Sequence, residues 1–494
     1  MKKMIQSNED NKHALKTQAK ACGYRSKRKC KNVIPKDECG VVALYNVPSA
    51  SKIAYLALYA LQHRGQESAG IVTSHESRLC IKKGMGLVNE VFREESDFQI
   101  LPGNSAIGHV RYSTSGGTSI ENSQPLQIVY RRGSLAVAHN GNIVNALELR
   151  KNLERTGAIF HTSVDTEVLL HLLARNVGNF EDALISALSI VKGAFSLVMM
   201  SENKIILARD PNGFRPLILG KLGEGWIAAS ETCAFDLVGA EFIREVEPGE
   251  IIFIDESGLR SRFLAPAAHQ SLCLFELIYF SRPDSFIFGN SVHEIRVKLG
   301  EKLAETHPAD ADVVISVPDS SNASALGYAK KAGLPFSFGL IRSHYIGRTF
   351  IEPDQKIRDF GARIKYNPVA STLKGKRVVL VDDSIVRGTT SKKIVRLIKK
   401  AGAKEVHMRI ICPPWTHPCR YGIDTPSIDQ LIAHNLTVDK MKKEIGVNSL
   451  EFLSVQDLFD ITGNCSYCTA CMDGNYPVEF SDESKIDARR EDDE

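Results

Sequence analysis

The stretch from Lys376 to Ser391 limits what this chain can fold into more than any other; it reads Lys-Arg-Val-Val-Leu-Val-Asp-Asp-Ser-Ile-Val-Arg-Gly-Thr-Thr-Ser. Val378 to Val381 is an unbroken β-branched and aliphatic run, the pattern of a strand buried on both faces of a parallel sheet. Asp382 and Asp383 follow at once, at the carboxyl end of that strand, where open α/β sheets bind their ligands. Ser384, Gly388, Thr389, Thr390 and Ser391 then supply hydroxyls and amides in a tight loop, and Lys392 to Lys400 reads as a helix. A glycine and hydroxyls at a helix N-terminus suit a phosphate. They would equally cap a helix with no ligand, but adjacent carboxylates at a sheet edge repel unless a cation or hydroxyls answer them. Such a pair could accept hydrogen bonds from two sugar hydroxyls while the loop holds a phosphate on the same sugar.

This strand, acid pair and Gly-Thr-Thr-Ser loop resemble the phosphoribosyl pyrophosphate motif of the phosphoribosyltransferases. The resemblance implies that Asp382 and Asp383 hold the ribose hydroxyls and Mg2+, and that residues 384 to 391, Arg387 among them, hold the 5-phosphate. Val317-Pro318-Asp319-Ser320-Ser321-Asn322 ends a second strand and alone reads as well as a capped turn. Beside the motif it resembles the family's pyrophosphate loop, with Ser320 at the position of an Mg2+ ligand. Tyr345 to Pro353, followed by Lys356, Arg358, Arg363 and Lys365, resembles the lid that keeps water from the bound sugar. Strands at Val313–Val317, Val378–Val381 and Val406–Ile411 alternate with helices, which means a parallel sheet.

A chain of 494 residues has room for two to four domains. Its 43% hydrophobic and 24% charged content is that of a soluble globular protein, and no apolar run approaches the roughly 20 residues that span a bilayer. The net charge of +4 gives no reason to expect nucleic acid or membrane as a partner, since residues 1–38 hold eleven Lys or Arg against four Asp or Glu. That segment lacks the apolar core of a secretory signal. Glu9, Asp10 and the scarcity of Ser and Arg weigh against a transit peptide. It is expected to be a disordered propeptide, and the Ser481–Glu494 tail to be disordered too.

At Cys39-Gly40-Val41-Val42-Ala43-Leu44-Tyr45 the pattern changes to a strand opening on a cysteine, a place where Cys is usually just a small hydrophobe. Downstream come His63-Arg64-Gly65-Gln66-Glu67-Ser68 at the end of a helical run from Ile53 to Gln62, then Gly108-His109-Val110-Arg111-Tyr112-Ser113-Thr114. Ala138-His139-Asn140-Gly141-Asn142 and Val164-Asp165-Thr166-Glu167 follow. Singly each is weak, Asn-Gly being a common turn and Asp165 a credible helix cap. In this order they resemble the glutamine amidotransferases of the N-terminal-nucleophile class. The resemblance implies a four-layer αββα sandwich ending near residue 268, with Cys39 as nucleophile and Asn140 and Gly141 as the oxyanion site. Arg111 and Asp165 would hold the glutamine's α-carboxylate and α-ammonium, and Arg64 would shape the same pocket. A thiol at a free chain terminus has an α-amine titrating near ~8 within reach, so it needs no histidine as base. That logic requires residues 1–38 to be cut away. Ala208–Leu217 and Ala229–Cys233 also match amidotransferase loops, with no catalytic role attached.

The 11 cysteines are odd in number and crowd towards the C-terminus, which argues for a reducing compartment and metal or catalytic roles. Cys465, Cys468 and Cys471 form a double C-x-x-C, for which Zn2+ and Fe–S clusters are the choices. With Cys273 and Cys419 they resemble a branch that carries a [4Fe-4S] cluster. The resemblance selects Cys273, Cys419, Cys468 and Cys471 as ligands of a structural cluster and leaves Cys465 as a neighbour.

Together the halves resemble the amidophosphoribosyltransferases over about residues 39–480. The expected domains are 1–38 propeptide, 39–268 glutaminase, 269–449 phosphoribosyltransferase-type α/β, and 450–494 cluster segment and tail. The family implies glutamine and phosphoribosyl pyrophosphate as substrates, purine nucleotides as feedback inhibitors and a homotetramer; the expected location is cytoplasmic, with a plastid left open. The competing reading is a regulator that binds phosphoribosyl pyrophosphate without catalysis. Cys39, Arg111, Asn140, Gly141 and Asp165 together speak against it.

Overall fold

Alternate residues of the strand Gly40–Tyr45 face two different cores, as the two-residue period of a strand requires. Val41 and Ala43 pack with Ala136, Ala138, Val198 and Leu207 between two sheets. Val42 and Leu44 pack on the other side with Ala54, Ala57 and Leu58 of the helix Ala50–Ala60. A strand without a polar face is thus the centre of a layered stack. It sits inside a seven-stranded sheet, between antiparallel neighbours Gly225–Ala229 and Ser105–Arg111. The second sheet has six strands, with Gly133–Ile143 and Gly193–Ser201 paired in its interior. Helices Ala146–Arg155, Thr166–Arg175 and Phe180–Ile190 cover its outer face through Leu149, Val168 and Leu184. The last of these buries Ala183, Leu184, Ala187 and Leu188 at helical spacing, and Asn179 caps it by accepting from the Asp182 amide at 2.8 Å. The layers run helix, sheet, sheet, helix, as expected.

The computed structural model describes residues 39–112, 119–267, 269–343 and 366–480, all belonging to the unit Ile34–Glu494. The expected propeptide, the cationic lid from Tyr345 to Lys365, the Ser481–Glu494 tail, and Ser113 and Thr114 lie outside the described residues.

Beyond the sandwich, Val313–Ser316, Arg377–Asp382, Glu405–Ile410 and Ser449–Phe452 form a parallel sheet in that order. Val313 lies opposite Val378, and Val378 opposite Val406. Two details differ from the sequence reading. The fourth strand runs through the boundary expected at 449/450; only Leu450 and Phe452 of its four residues are buried, too short an alternation to stand out. The helix begins at Thr389, not Lys392, because Gly388 at φ +72° turns the chain and Thr389–Ser391 become its first turn. The sheet's core is continuous with the helix layer of the sandwich through Leu274, Phe275, Leu277 and Ile278. Tyr467–Cys468 returns to pair in parallel with Leu272–Cys273. No described helix is long and apolar enough to cross a membrane.

Candidate active site

Cys39 enters the central strand one residue before Gly40, which lies opposite Val110 two residues from Tyr112. Its thiol therefore lies 3.5 Å from the Tyr112 carbonyl. Burial pushes this thiol up to about 11, against the opposing charge of Arg111. It is protonated at neutral pH, so a base would have to take its proton before it could act as a nucleophile. Arg111, at the end of Ser105–Arg111, is buried, and its charge and that of Asp165 both act on the thiol. Asp165 precedes the helix Thr166–Arg175 but does not cap it with its side chain. Its Oδ2 accepts from the Ile143 amide at 2.8 Å, and its Oδ1 accepts from the Thr166 hydroxyl at 3.2 Å. Burial alone would raise this carboxyl; His139, 3.6 Å away, and the hydrogen bonds from Ile143 and Thr166 together outweigh that and hold it below the usual range. Asp165 is an anion at neutral pH.

Asn140 and Gly141 lie within the strand Gly133–Ile143, opposite Ser196 and Phe195, not in a turn. Asn140 is fully buried, and neither its Oδ1 nor its Nδ2 has a hydrogen-bond partner among the described residues. An unmet buried polar group costs about 1–3 kcal/mol, a cost that proteins tolerate where a ligand supplies the missing bond. Gly141 has φ +147°, and a Cβ there would lie 2.1 Å from the Ala194 carbonyl oxygen. Arg64 stands behind Cys39: its Nε donates to the Cys39 carbonyl at 3.2 Å, its Nη1 to Glu231 at 2.5 Å and its Nη2 to Glu276 at 2.6 Å.

In the second domain the acid pair ends its strand as expected, and both carboxylates are buried. Hydroxyls answer them. Ser320 and Ser384 each donate to Asp383 at 2.6 Å, and Ser321 donates to Asp382 at 3.4 Å. Burial raises Asp383, while those hydroxyls and the charge of buried Arg296 oppose the rise. Ser320 thus joins Asp382 and Asp383 in one set of hard oxygen donors, a set whose chemistry suits Mg2+. Ser391 is buried in the first helical turn, Thr390 half-buried and Thr389 exposed, so the loop's hydroxyls line the helix start. Arg387 bonds Gln430.

The cysteines divide cleanly. Each described cysteine is a free thiol. Cys273 and Cys468 lie opposite each other in the short parallel pair, and Cys471 is close enough to Cys419, Cys468 and Cys273 to feel their charges. Cys465 is exposed. Among the described residues no three His, Cys, Asp or Glu side chains surround one point closely enough to hold a single ion. A cubane cluster needs a different arrangement, each thiolate binding its own iron at a separate corner. Burial pushes Cys273, Cys468 and Cys471 up, with the Arg215 cation beside Cys273, Cys419 and Cys468. Four desolvated or half-buried thiols, three of them beside a cation, have the chemistry such a cluster would need. Cys412, buried near Cys471, Cys273 and Asp383, had no place in the sequence reading.

Sequence reasoning also missed Arg215, Glu231 and Glu276, all fully buried. Arg215 and Glu231 lie in the two loops that matched amidotransferases without a role, which was the available signal. Nothing local marks Glu276.

Family models agree with both halves: a glutamine amidotransferase domain matches residues 109–236 and a phosphoribosyl transferase domain residues 290–427. The chloroplastic amidophosphoribosyltransferase of Glycine max is 53% identical over 469 residues, 93% of this chain and 82% of that protein. The Bacillus subtilis (strain 168) amidophosphoribosyltransferase is 49% identical over 453 residues, 90% of this chain and 95% of its own. A solved structure described as glutamine phosphoribosylpyrophosphate (PRPP) amidotransferase from B. subtilis complexed with ADP and GMP superposes with a TM-score of 0.86 at 48% identity, covering 90% of this chain and 98% of that one. Identity of this degree across both domains at once makes the chain a member of the amidophosphoribosyltransferase family.

Proposed function

We propose that the chain hydrolyses glutamine at Cys39 and passes the ammonia to C1 of phosphoribosyl pyrophosphate. The products are 5-phosphoribosylamine, pyrophosphate and glutamate, the committed step of purine synthesis. The observation that carries this reading is the buried, unpartnered Asn140 amide in the domain of the buried Cys39 thiol. A protein that only sensed the sugar phosphate would have no use for either.

The freed α-amine of Cys39 takes the thiol proton, and the sulfur attacks the glutamine side-chain carbon. The oxygen turns anionic and meets Asn140 and the Gly141 amide, a stabilisation of about 3 kcal/mol per donor. The protonated amine returns the proton to the departing nitrogen, ammonia leaves, and water opens the thioester. Arg111 forks onto the substrate carboxylate and Asp165 pairs with its ammonium. Arg64 acts on the pocket by holding the Cys39 carbonyl. In the other half Asp382 and Asp383 accept the ribose hydroxyls, while Ser384, Arg387, Gly388, Thr389, Thr390 and Ser391 hold the 5-phosphate. Ser320, Asp382 and Asp383 would hold Mg2+, which when bound neutralises the leaving pyrophosphate.

Cys273, Cys419, Cys468 and Cys471 would hold a structural [4Fe-4S] cluster, since neither half-reaction moves electrons. Cys465→Ser is expected to leave iron per chain unchanged, and Cys468→Ser to abolish it, by iron assay of protein purified without oxygen. Stoichiometric zinc in the wild type would contradict this. Free thiols support a reducing compartment, the cytoplasm as first expected or a plastid as the plant relatives' names say of them. Purine nucleotide inhibition and a homotetramer complete the proposal; the nucleotides in the Bacillus relative support the former.

An uncleaved Cys39 has an amide nitrogen and no base. Active protein isolated from its native host should therefore have a mass that begins at Cys39. Full activity with residues 1–38 attached would contradict the mechanism.

A further inference from the structure

Glu276 opens a five-residue π-helix, Glu276–Phe280, just past the junction of the two domains. The Ser281 amide donates to the Glu276 carbonyl at 3.1 Å, and this wide turn lets the Ser281 hydroxyl donate to the Glu276 carboxylate at 2.7 Å. Turns of this kind are rare and concentrate at functional sites. The carboxylate is fully buried and faces two buried guanidiniums. Arg64 donates to both of its oxygens, at 3.0 and 2.6 Å, and Arg215 stands 3.5 Å from Oε1.

Each arginine reaches on to a different part of the glutamine site. Arg64 holds the Cys39 carbonyl. Arg215 donates through Nε and Nη2 to the Tyr421 carbonyl, at 2.9 and 2.5 Å. The next residue, Gly422, lies so close to Gly141 that a Cβ on it would sit 3.2 Å from the Gly141 Cα. The residue before, Arg420, accepts from Asn142 Nδ2 at 2.9 Å through its carbonyl.

We propose that Glu276 is a positioning residue for glutamine hydrolysis, supplied by the second domain: through Arg64 it fixes the nucleophile, and through Arg215 and residues 420–422 it fixes the oxyanion strand at Gly141. It touches no substrate. The inference rests on the roles proposed above for Cys39 and Gly141. Without the Glu276 charge, Arg64 and Arg215 lose the anion they share, and the two parts of the site are no longer referred to one point. A misplacement of about 1 Å costs on the order of 100-fold in rate.

The test compares Glu276→Gln and Asn142→Ala with wild type in the full, cluster-loaded enzyme, with glutamine and with ammonium salts as nitrogen source. Glu276→Gln should lower glutamine turnover about 100-fold, mainly in kcat, and slow alkylation of Cys39 by an electrophilic glutamine analogue in parallel. Its ammonium-driven activity, which bypasses the glutamine site, should persist. Asn142→Ala cuts only the tie to Arg420 and should cost about tenfold in the same two readouts; it also stands as the test if Glu276→Gln does not fold. Wild-type glutamine turnover in both variants, or equal loss with both nitrogen sources, would overturn the proposal. Glutamine use surviving in Cys39→Ala would instead overturn the reading on which it rests.

Discussion

Cys39→Ala should abolish glutamine-driven formation of 5-phosphoribosylamine, by on the order of 10⁴-fold to 10⁶-fold, the loss seen when a nucleophile is removed. The same variant should keep its activity with ammonium salts. The asymmetry follows from the architecture. The thiol lies at the head of the sandwich's central strand and the acid pair at the end of a strand in another sheet, so deleting one sulfur leaves the sugar-phosphate site intact. Separate measurement of glutamate and pyrophosphate release checks it. A variant that used glutamine as well as wild type would remove Cys39 from the mechanism.

Asp383→Asn is expected to have the opposite signature. Product formation should fall about 100-fold or more with glutamine and ammonium alike, because the shared acceptor is disturbed. Stability should move the other way. Burial raises the Asp383 carboxyl above its ordinary value, so the ionised form is the less favourable one in the folded protein. This group's contribution to stability is intact below the unfolded value of about 3.9 and declines as pH rises through the folded value. In protein stripped of divalent cations, the Asn variant near neutral pH should therefore melt at or above the wild-type temperature, and the difference should vanish in acid. A variant that melts well below wild type at pH ~7 would show that the charge is better compensated than the hydroxyls and Arg296 suggest.

Much of both candidate sites was legible because their residues sit at strand ends that announce themselves. Val378–Val381 followed by two acids, and Cys39 followed by an apolar strand, are local patterns that the folded chain keeps. Asn140 was harder, since Asn-Gly reads as a turn and only the pairing with Ser196 and Phe195 keeps it in a strand. The ties that unite the domains left no trace. Arg64 and Glu276 are 212 residues apart, and Arg215 and Tyr421 206 apart. A buried arginine looks no different in sequence from a solvated one. Asp165 shows the same limit from the other side: taken singly, its place before a helix reads as a cap, yet its carboxylate does not cap that helix and accepts instead from the Ile143 amide and the neighbouring Thr166 hydroxyl.

If nitrogen passes from the Cys39 site to the sugar within one molecule, glutamine carrying heavy nitrogen in its amide should yield 5-phosphoribosylamine with that label almost undiluted, in unlabelled ammonium kept at a concentration that by itself drives no appreciable product formation. Label diluted to the ratio of the bulk solution would mean that the ammonia escapes first, and that the two sites merely share a chain.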